Sequence, residues 1–251
     1  MKYPNRIIET GEKDTKVVKA IQQRLSELGI GNLSGTGAYG PKTVEAVKLF
    51  QAMHTDSAGN PLTMDGKVGA ITWEALFGPE VVPMVEEPGS ELRQKALAVA
   101  ISQIGVMEQP AGSNKGPEVN AYLASAGLGP GYYWCAAFVY WCFNDAAKQL
   151  GRTNPLVKTA GCQDHWNRTK AKKILRVQAV NNPGLIKPGA IFIIKTGKTS
   201  GHTGMVEKVE GGFVHTIEGN SNPAGSSNGI GVFRIKHRKI NSINLGFVLY
   251  S

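Results

Sequence analysis

The sequence predicts an α+β protein in two parts, a small helical one and then a larger one in which helices come first and an antiparallel sheet follows. Three observations carry that reading. Residues 78–90, GPEVVPMVEEPGS, hold three prolines, two glycines and three acids without sustained periodicity. That is linker composition, and it divides the chain into residues 1–78, a linker at 79–89 and residues 90–251. Ahead of the linker, TGAYGPKTVEAVKLF (36–50) returns as DGKVGAITWEALF (65–77) at a constant offset of 29 residues, each copy a glycine turn feeding a helix. Behind it, the last third of the chain changes to five short β-branched and aromatic runs separated by Gly, Pro, Asn and Ser clusters, the pattern of strands.

Bulk composition narrows the function classes. A chain of 251 residues with 41% hydrophobic content fills one large domain or two ordinary ones. Lys and Arg exceed Asp and Glu by 28 to 19, a net charge of +9, which favours an anionic partner: nucleic acid, a phospholipid surface or a cell-wall polymer. The basic clusters RTKAKK (168–173) and RIKHRK (234–239) are not interleaved with aromatics, so no nucleic-acid binding is expected. No segment approaches the ~18 consecutive apolar residues of a membrane span, and no stable membrane insertion is expected. The N-terminal MKYPNRIIETGEKDTK has no apolar run of the secretory kind, which places synthesis in the cytoplasm. Three cysteines, an odd number, do not suggest a disulfide framework.

In the N-terminal part, Val17, Val18, Ile21, Leu25 and Leu28 form one amphipathic stripe ended by Gly29. Pro41 suits a first helical position, and Ala46, Val47 and Phe50 continue the helical spacing. The third helix is the repeat's second copy. The series TKVVKAIQQRLSELGI, GAYGPKTVEAVKLFQ, DGKVGAITWEALF resembles the three-helix peptidoglycan-binding domain of wall hydrolases over about residues 8–78. It departs at Thr36, where that family more often has Asp, and in the longer HTDSAGNPLTM insert. Phe50 and Trp73 read as core residues because their spacing is helical.

In the C-terminal part, SELRQKALAVAISQIG (90–105) reads as a helix capped by Ser90 and Gly105. A loop, VMEQPAGSNKGPEV, and a short helical piece over 119–126 follow. GLGPGYY (127–133) cannot continue a helix, whereas 134–150 lacks Gly and Pro and is apolar on every side at its start. Cys135 therefore sits at the first turn of a buried helix, where unpaired N–H groups and the helix dipole stabilise a thiolate. Free cysteines are also among the most buried residue types, so position alone leaves Cys135 open between nucleophile and packing residue. Cys142 lies two turns inside the same helix and reads as inert, and Cys162 lies in a polar segment without an evident activator.

The strands fall at 189–195, 202–210, 212–219, 229–236 and 245–250. If 202–209 and 212–219 form a hairpin, His202 lies opposite or diagonal to Glu218 and Asn220, and all three, being at even positions, share a face for any pairing with an even sum. Val206 and Val214 share it too, whereas His215 points away. His54 belongs to the other part, His165 to a polar helical segment and His237 to a basic terminal strand.

The motifs YWCAAFVYWC, GHTGMVEKV and IEGN, in that order, resemble the CHAP family, cysteine- and histidine-dependent amidohydrolases/peptidases related to NlpC-type and papain-like folds. The resemblance implies an α+β domain over 90–251 with the cysteine helix against the sheet. It also implies a nucleophilic Cys135, a general-base His202, an orienting Glu218 and Asn220 as a supporting or alternative third member. Papain relatives use an upstream glutamine in the oxyanion hole; the preceding segment GLGPGYYW has none, so Tyr133 or a backbone donor takes its place. Glu108 and Asn114 are candidates for peptide contact, against the alternatives of a solvated acid and a turn residue. The acidic calcium loop of some CHAP enzymes has no counterpart, so no metal or other cofactor is expected.

The implied function is a wall hydrolase, an N-acetylmuramoyl-L-alanine amidase or a peptide-stem endopeptidase, working as a monomer on bacterial peptidoglycan. Its modular form is that of a phage endolysin, reaching the wall through a membrane lesion. The alternatives are a secretion-system effector, a bacterial autolysin, or a non-catalytic wall-binding protein.

Overall fold

The computed structural model describes residues 1–79 and 91–251. The linker expected at 79–89 and the expected cap Ser90 lie, apart from Pro79, outside the described residues.

The N-terminal unit is built on helices α1 (Thr15–Glu27), α2 (Pro41–Met53) and α3 (Ala70–Phe77). Asp14 starts α1 by accepting from the N–H groups of Lys16 and Val17 (3.1 and 3.2 Å), satisfying two donors that no helical carbonyl can reach. Ile21, Leu25, Val47, Phe50, Trp73 and Leu76 are buried together, so the helical spacing of Phe50 and Trp73 does reflect a core. The sequence repeat has a structural cause. Buried Gln22 accepts from Gly37 N–H (2.9 Å) and donates to the Ala38 carbonyl (2.9 Å) and Thr43 Oγ1 (3.0 Å). Gln51, 29 positions later, does the same with Gly66 N–H (2.9 Å), the Lys67 carbonyl (2.9 Å) and Thr72 Oγ1 (3.3 Å). One amide per repeat thus ties a helix to the next glycine turn and to the helix after it.

The C-terminal unit contains α4 (Glu91–Ser102), α5 (Pro117–Ser125), α6 (Cys135–Gln149), α7 (Cys162–Arg168), β1 (Lys172–Leu175), α8 (Arg176–Asn181), β2 (Ile191–Lys195), β3 (Gly201–Glu210), β4 (Phe213–Ser221), β5 (Gly231–Lys239) and β6 (Gly246–Leu249). The strands form one sheet in the order β1-β6-β2-β3-β4-β5, with β1/β6, β2/β6 and β2/β3 antiparallel. The α+β class is as the sequence predicts. β1 is an addition: it begins in the RTKAKK cluster, where no strand is expected, and pairs Lys173 with Val248 and Ile174 with Phe247. Lysines on an outermost strand discourage further strand pairing, and the same lysines hide the strand from a hydrophobic pattern.

α6 is the hub. Ala136, Ala137, Phe138, Val139, Cys142, Phe143, Ala146 and Ala147 are all buried, and the helix packs on α4 and α5. Its first turn lies hard against β4: a Cβ at Gly219 would stand 2.7 Å from both Phe138 Cγ and Trp134 Cζ3. The glycine of IEGN is therefore a contact point that brings the helix headed by Cys135 onto the strand bearing Glu218.

Candidate active site

Cys135 is the first residue of α6, after Trp134 as N-cap. The first intrahelical amide bond is Phe138 N–H to the Trp134 carbonyl (2.8 Å), so the amides of residues 135–137 precede the helical ladder and are free to serve a sulfur or an oxyanion. No side chain caps this end of the helix. Trp134 is fixed instead by its indole N–H, which donates to Glu108 Oε1 (2.9 Å). Glu108 Oε2 in turn accepts from Asn114 N–H (3.1 Å), so this buried carboxylate pins the loop before α5 to the residue before Cys135.

On the sheet, β2 pairs with β3 so that Ile194 faces His202 and Phe192 faces Gly204. His202 Nε2 and Glu218 Oε2 are 2.8 Å apart with both side chains buried. An ionised carboxylate only accepts, so Glu218 fixes the ring proton on Nε2 and leaves Nδ1 open. Nδ1 is buried and has no hydrogen-bond partner among the described residues. Glu218 receives more than His202. Arg238 donates from Nε and Nη2 to its two oxygens (2.7 and 2.7 Å), Ser221 Oγ donates at 3.3 Å, and Thr216 Oγ1 donates as well.

Charge follows from this geometry. The thiol of Cys135 is held well below the usual thiol range, first by a hydrogen bond from Cys162 and then by His202 and the Ala136 N–H, against the effect of burial. Burial opposes a charged His202, yet Cys135 and Glu218 outweigh it and raise the imidazole to about 9. Glu218 stays ionised although burial opposes it, because His202 and Arg238 both favour the carboxylate. Both shifts favour the thiolate–imidazolium form of the pair over thiol and neutral imidazole. Cys142 is pushed the other way by burial and Asp145 and stays an inert thiol.

The family model of the CHAP domain matches residues 127–220, an interval that contains Cys135, His202, Glu218 and Asn220. The chain carries a CHAP domain. The model of a peptidoglycan binding domain matches residues 14–76, the three-helix unit. No curated protein gives a significant match. Among solved structures, that of the Resuscitation Promoting Factor Interacting protein RipA mutated at H432 is 14% identical, with a TM-score of 0.38 over 85% of this chain and 86% of that one. The two domains support a peptidoglycan hydrolase with peptidoglycan as its substrate.

Within the CHAP domain the expected residues separate. Cys135, His202 and Glu218 come together. Asn220 shares β4 with Glu218 but has a left-handed φ of 52°, which ends the alternation the hairpin argument relied on. Its amide donates to Asn114 Oδ1 (3.3 Å) and its oxygen accepts from Gly229 N–H (3.2 Å), so both ends are engaged away from the imidazole. Tyr133 is 61% exposed, beside Tyr132 at 58%, and is available to a substrate. Glu108 is a correction: the residue is buried and both oxygens are taken, because the buried indole of Trp134 needs an acceptor. Asn114 holds φ 53°, the turn residue that the alternative reading described.

His165, expected in a polar helical segment, is buried with Nε2 2.8 Å from the Tyr250 hydroxyl, and burial lowers it to about 4. His215 lies off the site, its ring centroid 5.3 Å from that of His237. Sequence reasoning missed two residues. Arg238 could have been sought in the RIKHRK run, since a buried carboxylate with one imidazole donor leaves acceptors to fill. Cys162, expected to be idle, has its sulfur 3.6 Å from that of Cys135, and no local pattern in the chain announces a contact across 27 residues.

Proposed function

We propose that the chain cleaves an amide bond of the wall peptide with Cys135 as nucleophile, His202 as acid and base, and Glu218 as the group that orients and charges His202. The observation that carries this is the buried His202–Glu218 contact of 2.8 Å facing a cysteine at an uncapped helix N-terminus. The Cys135 thiolate adds to the amide carbonyl carbon, and the oxyanion is met by helix N-terminal N–H groups. His202 gives its Nδ1 proton to the departing amine nitrogen, the C–N bond breaks and a thioester remains. Water then loses a proton to His202 and attacks the thioester, releasing the carboxylate and restoring the thiolate–imidazolium pair. Exposed Tyr133 lies two residues before Cys135 in sequence and offers a surface to the wall strand.

The N-terminal domain raises the effective concentration of a weakly held catalytic domain beside a polymer of repeated targets. The reading covers two products, those of an N-acetylmuramoyl-L-alanine amidase and of a stem endopeptidase, and extends to an endolysin role in which the enzyme reaches the wall through a membrane lesion. Purified sacculi digested with the full chain, with new termini identified by mass spectrometry, test it. A new amine on L-alanine identifies the amidase, and one inside the stem or cross-bridge identifies the endopeptidase. New reducing sugar ends without any new amine would sink amide cleavage altogether.

A further inference from the structure

Two sulfurs meet at this site, and the chemistry above uses only one. Cys162 opens α7, is buried, and places Sγ 3.6 Å from Cys135 Sγ. Its position is fixed from several sides. The next residue, Gln163, donates from its amide to the carbonyls of Gly197 (3.0 Å) and Ser200 (2.6 Å) in the β2–β3 turn. One turn further on, His165 is tied to Tyr250, whose hydroxyl also meets Thr169 Oγ1 at 2.8 Å. Gly201, the residue before His202, has no side chain where Cys162 sits: a Cβ there would stand 2.9 Å from Cys162 Cβ and 2.6 Å from the Ile194 carbonyl oxygen. Cys162 is thus packed between the nucleophile's helix and the strand that delivers the base.

We propose that Cys162 is itself a catalytic residue, a thiol that donates an S–H hydrogen bond to the Cys135 sulfur and holds it as the thiolate between turnovers. This rests on the reading of Cys135 as nucleophile. The direction of the hydrogen bond follows from what else surrounds each sulfur: His202 and the Ala136 N–H favour the thiolate of Cys135, whereas Cys162 has burial favouring its thiol, so the shared proton stays on Cys162. A thiol is a weak donor, and the stabilised thiolate is correspondingly less reactive per ion, because nucleophilicity falls with pKa. Cys162 therefore trades intrinsic reactivity for a larger thiolate population at neutral and acid pH.

That trade gives a two-signed test on the full chain. Carboxamidomethylation of Cys135 by iodoacetamide is followed across pH for wild type, Cys162→Ala and Cys162→Ser, with each adduct located by peptide mass spectrometry. Loss of the donor raises the Cys135 midpoint by about one unit; below the midpoint the roughly tenfold smaller thiolate fraction is partly offset by the more reactive ion, which leaves Cys162→Ala about threefold slower than wild type. Above both midpoints the same variant becomes about threefold faster, from a Brønsted slope near 0.4–0.5. Cys162→Ser, keeping a shorter donor, falls between the two. Should Cys162→Ala fail to fold, Cys162→Ser alone decides. A midpoint equal to wild type in the folded variants, whatever their absolute rates, overturns the proposal and leaves Cys162 a packing residue. Alkylation is read on the free enzyme, so this outcome is separate from whether Cys135→Ala loses wall hydrolysis, which tests the nucleophile itself.

Discussion

Glu218→Gln keeps the shape of the carboxyl and removes one charge. In the native protein that charge lies 2.8 Å from His202 Nε2, with side-chain exposures of 2% for His202 and 0% for Glu218, so little water is present to screen it. Hydrogen bonds to charged groups contribute about 1.5–3 kcal/mol, and one pKa unit corresponds to about 1.4 kcal/mol. The imidazole, raised to about 9 in the native site, should therefore fall by about one to two units. The sign follows from its role: His202 must carry a proton to release the amine, so activity is present below its pKa and lost above it. The alkaline limb of the initial rate on purified sacculi should move from about 9 to about 7–8.

The same substitution leaves Arg238 without its carboxylate, and breaking a buried pair costs about 3–5 kcal/mol. Arg238 keeps 12% side-chain exposure and its bond to the Gly225 carbonyl (3.0 Å), which places the loss toward the lower end. Circular dichroism at each pH separates unfolding from titration. Adding Arg238→Gln removes the orphaned cation and should recover stability without moving the limb back. An alkaline limb that stays at the native position in folded Glu218→Gln refutes the idea that this carboxylate charges the imidazole.

Gly219→Ala drives a methyl to 2.7 Å from Phe138 Cγ and Trp134 Cζ3; thermal melts should show a loss of about 1–3 kcal/mol, and activity should fall with it because Trp134 precedes the nucleophile. Gln51→Ala strands Gly66 N–H, the Lys67 carbonyl and Thr72 Oγ1 in a buried site; an expected loss of about 2–4 kcal/mol should appear as reduced stability of the N-terminal unit and weaker cosedimentation with sacculi. His165 has a folded value of about 4 against an ordinary 6.5, so the unfolded chain binds the extra proton between them. The stability it contributes is complete above pH 6.5 and is lost as pH falls toward 4, by about 3 kcal/mol. His165→Gln should flatten that part of the urea-unfolding profile against pH, and an unchanged slope would assign the acid sensitivity elsewhere.

What the chain announces and what it hides divide along physical lines. Period-two alternation brings His202 and Glu218 to one face because both lie within regular strand. It fails at Asn220, where a left-handed φ of 52° turns the side chain toward Asn114 and Gly229. The helix beginning at Cys135 is legible from the glycine turn before it and the apolar run after it. Glu108 reads as a peptide contact or a solvated acid because nothing local shows that a buried indole needs its oxygen. Arg238 and Cys162 are long-range partners whose roles depend on which strand and which helix start lie beside the site, information that only the tertiary fold contains. β1 is hidden for the opposite reason, since the lysines that protect an outermost strand erase its hydrophobic signature.

In the proposed mechanism the Cys135 thiolate attacks a wall amide. Full-length wild type and Cys135→Ala, matched for folding by circular dichroism, are incubated with purified sacculi, and new free amines and sacculus-bound protein are measured together. Cys135→Ala should pellet with the sacculi as wild type does while its release of new amines falls by at least about 10³-fold. Amine release by Cys135→Ala at the wild-type rate would contradict the mechanism, leaving the thiol at this helix start a packing residue.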